Sequence, residues 1–246
     1  MRRRARLMAL GRRALRARGI EVVAAERASL LPLHLSRLFA QEKIDHVLDV
    51  GAQIGRYAVS LRDMGYRGEI WSFEPVSISH EVLAEKAASD PLWRVFNLAL
   101  GAEAGEASIN VAMGSDFSSF LSPTEMALSA PHLRAVARAR TENVRVATLD
   151  EIFEREPALR DRRIHLKLDT QGFDLEVLEG AATLMPFVRS MQTEVSLQPV
   201  YEGMPDFTES LAVVASLGFA VSGFFPVAVN PDLSVIELDC VAVRRR

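Results

Sequence analysis

Val47-Leu48-Asp49-Val50-Gly51-Ala52-Gln53-Ile54-Gly55 is the stretch whose reading decides the fold. Apolar residues flank Asp49 on both sides. That predicts a strand buried on both faces, as in a parallel sheet. Gly51 and Gly55 free the backbone to bend and to let another molecule approach closely. Helical spacing follows at once through Tyr57, Ala58, Leu61 and Met64. A strand, a glycine turn and a helix N-terminus together present free N–H groups and a positive dipole end. The stretch reads as the floor of a site for a nucleotide-like cofactor.

Working outward, strands are predicted at residues 44–50, 69–74, 93–100, 164–169 and 188–195, with helices at 54–64, 77–88 and 173–184 between them. This alternation with short connections argues for a parallel sheet with helices on both faces. Upstream, residues 20–43 show helical spacing, with Ser29 and Pro32 at a first turn, and are expected to pack against the edge of the sheet. Downstream, a helix at 208–217 precedes a terminal strand pair, 219–227 and 233–243, joined by Asn230-Pro231-Asp232. Residues 101–160 break the alternation. Short strands at 107–112 and 144–147, a serine-rich loop at 113–122 and a helix at 124–140 read as an elaboration inserted into the sheet. Such loops often face ligand.

The glycine turn is Asp-x-Gly-x-x-x-Gly rather than the dinucleotide Gly-x-Gly-x-x-Gly. Gln53 stands where pyrophosphate would have to approach. Asp49 at the strand end repels a doubly anionic ligand and suits one carrying a cation, such as the sulfonium or amino group of S-adenosylmethionine. Glu74 ends the second strand, about 20 residues on, where an acid accepts ribose hydroxyls. Asn97 offers a donor and an acceptor to an adenine edge, or else is satisfied by backbone. Asp169 and Glu194 end adjacent strands, on the side where open α/β sheets hold their ligands. They are candidates for a substrate contact, a general base or a divalent cation such as Mg2+. His165 reads chiefly as core and Tyr201 equally as a loop anchor. Both stand behind Asp169 and Glu194 as catalytic candidates.

The net charge of −3 does not suggest nucleic-acid binding. Cys240 is the single cysteine, reads as an inert buried thiol, and fits a reducing, cytoplasmic compartment. No apolar run reaches the length of a membrane span. Residues 2–18 hold eight arginines and no acid, so the rest of the chain is more acidic than the net charge implies. They read as a solvated helical arm, a peripheral contact with the anionic inner face of a membrane, or a partner contact. No oligomeric state follows from the sequence.

The chain resembles the FkbM family of S-adenosylmethionine-dependent methyltransferases. The resemblance is carried by residues 47–57 (VLDVGAQIGRY), 72–75 (SFEP), 97–101 (NLALG), Ser118-Ser119, 148–151 (TLDE), 166–181 (LKLDTQGFDLEVLEGA), 192–203 (QTEVSLQPVYEG) and 217–219 (LGF). Gln53 stands where the family usually has asparagine, and Asp174 where it usually has glutamate; both keep the chemical type. The resemblance implies a class I methyltransferase sheet: seven strands, mostly parallel, helices on both faces, the last strand antiparallel. It divides the chain into residues 1–43, an arm and pre-sheet helix, and 44–246, the methyltransferase domain. It implies S-adenosylmethionine over Asp49, Gly51, Gln53, Gly55, Glu74, Asn97 and Ser119. Methyl transfer to a hydroxyl of a sugar, glycoconjugate or natural product would follow. Rival readings are methylation of an amine and a non-catalytic scaffold with the same fold. Gln53 argues against a nicotinamide dehydrogenase.

Overall fold

A computed structural model describes residues 30–112, 118–129 and 139–245. The arginine-rich arm, Ser29, and parts of the serine-rich loop and the 124–140 helix lie outside the described residues. Helix α1 (Leu31–Glu42) opens with Pro32 in its first turn. Then come β1 (His46–Val50), α2 (Arg56–Met64), β2 (Glu69–Phe73), α3 (Ser77–Ala87) and β3 (Trp93–Phe96). The second half of the main sheet is β7 (Ile164–Leu168), α6 (Asp174–Glu179), β8 (Val188–Ser196), α7 (Phe207–Ser216), β9 (Phe219–Val229) and β10 (Val235–Arg244). Between the halves run β4 (Ala99–Leu100), β5 (Gly105–Ala112), α4 (Glu125–Ser129), β6 (Ala139–Ala147) and α5 (Leu149–Arg155).

Seven strands form the main sheet in the order β3-β2-β1-β7-β8-β10-β9. β10 runs antiparallel to both β8 and β9, and the pairs from β3 to β8 are parallel. This is the class I methyltransferase sheet. The order reverses between β1 and β7, and open α/β sheets hold ligands in the crevice at such a switch point. Every residue of β1 and of β7 is buried, as helices on both faces require. Leu48 and Val50 face the larger core with Leu166 and Leu168, whereas Val47 faces the opposite core with Ala58, Leu61 and Phe39. Asp49 and Lys167 share that second face and are register partners. Two charges in two buried strands are tolerated because the register sets them opposite each other.

Four elements differ from the sequence-based expectation. β6 (Ala139–Ala147) starts upstream of the strand expected at 144–147 and replaces the end of the helix expected at 124–140. Helix α1 lies across a face of the sheet, not at its edge: Phe39 meets His165 of β7 at 4.8 Å between ring centroids, and His34 meets Phe225 of β9 at 5.2 Å. The strand expected at 93–100 divides. Asn97 turns the chain by donating from Nδ2 to the carbonyls of Glu74 and Pro75, and β4 leaves to pair with β6 in a second sheet ordered β4-β6-β5. The helix expected at 173–184 stops at Glu179. A Cβ on Gly180 would stand 2.1 Å from the carbonyl oxygen of Gly101, and the Asp150 carboxylate takes the N–H groups of Thr183 and Leu184. Packing against the second sheet therefore ends this helix early. At the head of α5, Thr148 and Glu151 form a reciprocal capping box.

Among the described residues, no helix is long and apolar enough to cross a membrane.

Candidate active site

A cavity of about 540 Å³ opens at the switch point. Its floor is Gly51-Ala52-Gln53, one wall holds Glu74 and Leu98, and the far end holds Asp169, Gln171, Glu194, Glu237 and Asp239. The floor differs from a phosphate cradle in its hydrogen bonding. The N–H groups of Gly51 and Ala52 donate to the Phe73 carbonyl and that of Gly55 to the Ala52 carbonyl. That of Gln53 donates to Glu74 Oε2 at 2.8 Å. These donors are spent inside the protein, so the turn does not offer them to an anion.

The two glycines have tertiary tasks. Gly51, at φ 73°, lies where a Cβ would stand 2.0 Å from the Asp169 carbonyl oxygen, so it lets β1 and β7 close at the switch point. Gly55, at φ 79°, lies where a Cβ would meet Leu83 and Trp93 at 2.8–2.9 Å. It serves the packing of α2 and does not line the cavity, contrary to its reading as a point of ligand approach.

Asp49 is likewise placed below the cavity floor. It is 0% exposed, accepts from Ser72 Oγ at 3.0 Å, and pairs with Lys167 Nζ at 3.2 Å. It neutralises a buried lysine, so the expected contact with a cationic ligand end does not stand on this geometry. Lys167 Nζ also reaches Asp169 at 3.3 Å and the Gly51 carbonyl at 3.1 Å. Burial would lower the Lys167 ammonium, but Asp169 and Asp49 together raise it above its usual value.

Glu74 does reach the cavity. Besides Gln53, it accepts the Val76 N–H at 2.9 Å, and burial pushes its carboxyl up to about 7. Asn97 is spent on the two carbonyls already named and Ser119 on the Gln171 carbonyl at 2.7 Å; neither lines the cavity. Their side chains fasten the walls.

The structure brings Asp169 and Glu194 together as the strand ends predict. Gln171 Nε2 donates to Asp169 Oδ1 at 3.2 Å and to Glu194 Oε2 at 3.0 Å. Burial, then the like charges of Asp169, Glu237 and Asp239, hold the Glu194 carboxyl well above the usual range. Glu237 is pushed up to about 7 and Asp239 to about 6, chiefly by burial. Behind them Asp174 accepts from Thr170 and Thr193, and its Oδ1 takes the Thr170 N–H at 2.8 Å.

His165 and Tyr201 do not line the cavity. His165 is fully buried, lies 2.8 Å from Ser190 Oγ and 3.1 Å from the Tyr57 hydroxyl, and burial lowers it to about 3. It is a neutral core residue, not a proton acceptor for substrate. Tyr201 packs with Val200 and Ile236, and its hydroxyl donates to Gln171 Oε1 at 3.0 Å. The donor set also disagrees with a divalent cation on Asp169 and Glu194. A lysine ammonium and an amide N–H already stand on these oxygens, and among the described residues no group of three His, Cys, Asp or Glu side chains is placed to hold a metal.

Lys167, Gln171, Glu237 and Asp239 were not singled out from the sequence. Glu237 and Asp239 carry a signal there: acids two apart in an apolar strand share a face. Gln171 carries none, because its role depends on Glu194 and Tyr201, 23 and 30 residues further along the chain.

Sheet order, switch-point cavity and the acid ending β2 define the class: S-adenosylmethionine-dependent methyltransferases of class I. The family model for the methyltransferase FkbM domain matches residues 49–221, and the chain belongs to that family. A comparison with curated proteins finds no match. Methyltransferase FkbM from Methylobacillus flagellatus KT superposes with a TM-score of 0.50 at 16% identity, over 80% of this chain and 43% of that one. The chain thus spans under half the length of that structure. Magnesium protoporphyrin IX methyltransferase from Synechocystis PCC 6803, with bound SAM, gives 0.46 at 9% identity, covering 88% of this chain and 79% of the other. Fibrillarin from Aeropyrum pernix, in complex with natively bound S-adenosyl-L-methionine, gives 0.44 at 13% identity, covering 81% and 66%.

Proposed function

We propose that the chain transfers a methyl group to a hydroxyl oxygen of a sugar, glycoconjugate or natural-product acceptor. The observation that carries this reading is the pair of carboxylates, Asp169 and Glu194, at the cavity end away from Glu74. Glu74 is the residue to hold the ribose of S-adenosylmethionine, and Gly51 to Gln53 underlie the rest of it. Bound there, S-adenosylmethionine supplies an electrophilic methyl on a sulfonium.

The carboxylates orient the acceptor hydroxyl and take its proton. Glu194 is the acceptor we single out. Burial and the acids around it raise its affinity for a proton above that of an ordinary glutamate, which strengthens it as a base. Positioning of the hydroxyl supplies much of the remaining acceleration. The same acids argue against an amine acceptor: an ammonium beside several carboxylates holds its proton more tightly and loses its lone pair. Incubation with S-adenosylmethionine and a panel of glycan and polyketide alcohols, followed by mass spectrometry, tests the reading. A methyl ether is the expected product; methylation found only on amines would overturn it.

A further inference from the structure

Gln171 occupies an unusual place. Its backbone stands at φ 56°, a left-handed conformation that glycine adopts freely and glutamine rarely does. Ser119 Oγ holds that turn by donating to the Gln171 carbonyl at 2.7 Å. A glycine would fit the backbone better, so the side chain has another task. The primary amide has two N–H donors and one carbonyl acceptor. Its nitrogen lies 3.2 Å from Asp169 Oδ1 and 3.0 Å from Glu194 Oε2, one hydrogen for each. Its oxygen lies 3.0 Å from the Tyr201 hydroxyl. Turned the other way, the amide would set its oxygen against two carboxylates, which when ionised can only accept. The two acids therefore fix its orientation, and the Tyr201 hydroxyl, able to donate or accept, donates to the oxygen that this leaves.

We propose that Gln171 is a positioning residue, an amide clip that holds the Asp169 and Glu194 carboxylates side by side and facing the acceptor, with the Tyr201 hydroxyl anchoring the amide oxygen. The inference rests on reading these two acids as the acceptor-side pair. It gives Tyr201 a role that acts through Gln171, without contact to substrate. The acids around Glu194 come from every element packed there: Asp169 after β7, Asp174 of α6, and Glu237 and Asp239 of β10. Lys167 of β7 is the nearby cation and stands on Asp169, not on Glu194. Among the described residues, the Gln171 N–H is therefore the donor that favours the ionised form of Glu194.

Titration of the 13C-labelled Glu194 carboxyl by NMR in the full-length protein needs no acceptor and tests the clip directly. Gln171→Met, which keeps the length and removes the donor, is expected to move that titration upward by about one pH unit, the size of a lost hydrogen bond to a charged group. Gln171→Glu is expected to move it further, and serves also if the methionine variant folds poorly. Tyr201→Phe should give a smaller shift in the same direction, and the Gln171→Met/Tyr201→Phe double variant no more than Gln171→Met alone. An unchanged Glu194 titration in Gln171→Met, or full additivity in the double variant, overturns the clip. Calorimetry with S-adenosylhomocysteine on the wild type separates the two readings. Failure to bind would overturn the methyltransferase reading and leave the titration result intact.

Discussion

Glu74 and Glu194 are both carboxyls raised above the ordinary range chiefly by burial; the proposed function gives them different tasks, and single substitutions separate them. Glu74 accepts two backbone N–H groups and reaches the cavity beside the floor. Glu74→Ala should weaken S-adenosylhomocysteine binding by roughly 10- to 100-fold, the range of a charged hydrogen bond, as read by calorimetry. Glu194→Gln should leave that affinity within about threefold and lower methyl transfer by about 100-fold or more, the usual contribution of a general base. Loss of cofactor affinity in Glu194→Gln would place it with the cofactor instead. The base must be ionised to act, and its carboxyl lies above the ordinary range. The rate should therefore go on climbing above the ordinary glutamate value of about 4.3 and not level off there. A profile already flat at pH 5 would remove Glu194 from the role.

Elements meet at backbone contacts, and glycines report them. Gly51→Ala drives a Cβ onto the Asp169 carbonyl and strains a positive φ. It should destabilise the protein by about 2–4 kcal/mol by urea titration, because β1 and β7 can no longer close. Gly105 in β5 has nothing within 4 Å of its Cβ position. Gly105→Ala should stay within about 0.5 kcal/mol of wild type, as surface substitutions do. Equal effects at the two glycines would refute this account of the switch point. The second sheet shows the same dependence on contact. β4 leaves the main sheet because Asn97 bonds back to residues 74 and 75, and α6 stops where Gly180 meets Gly101. Propensity and periodicity carry neither event, since both are set by residues far apart in the chain.

Across the whole molecule, buried acids link stability to pH. Glu74, Glu237 and Asp239 titrate near 7, 7 and 6 in the folded chain, against about 4 when unfolded. Between those values the folded state binds more protons than the unfolded one. The stability these groups contribute is full below about pH 4 and is lost as the pH rises through 6–7. The melting temperature of the ligand-free protein should reflect this loss between pH 5 and 7.5, and Glu237→Gln should soften the fall. An equally steep fall in that variant would exclude Glu237 as a source.

The sequence determined the strand–turn–helix at residues 47–64, the parallel alternation, the terminal hairpin, and the two acids at the ends of adjacent strands. Each is a local pattern of apolar spacing, turn chemistry or strand-end position, readable without a partner. Tertiary structure decided what those residues face. Asp49 turned from a ligand contact into the counter-ion of Lys167, because the register of β1 with β7 sets them opposite. Gly55 turned from a point of ligand approach into a packing contact with Leu83 and Trp93. Gln171 entered the site because a left-handed turn, a buried tyrosine and two strand ends converge on one amide. Register and convergence arise only when strands distant in sequence lie side by side, so no local pattern encodes them.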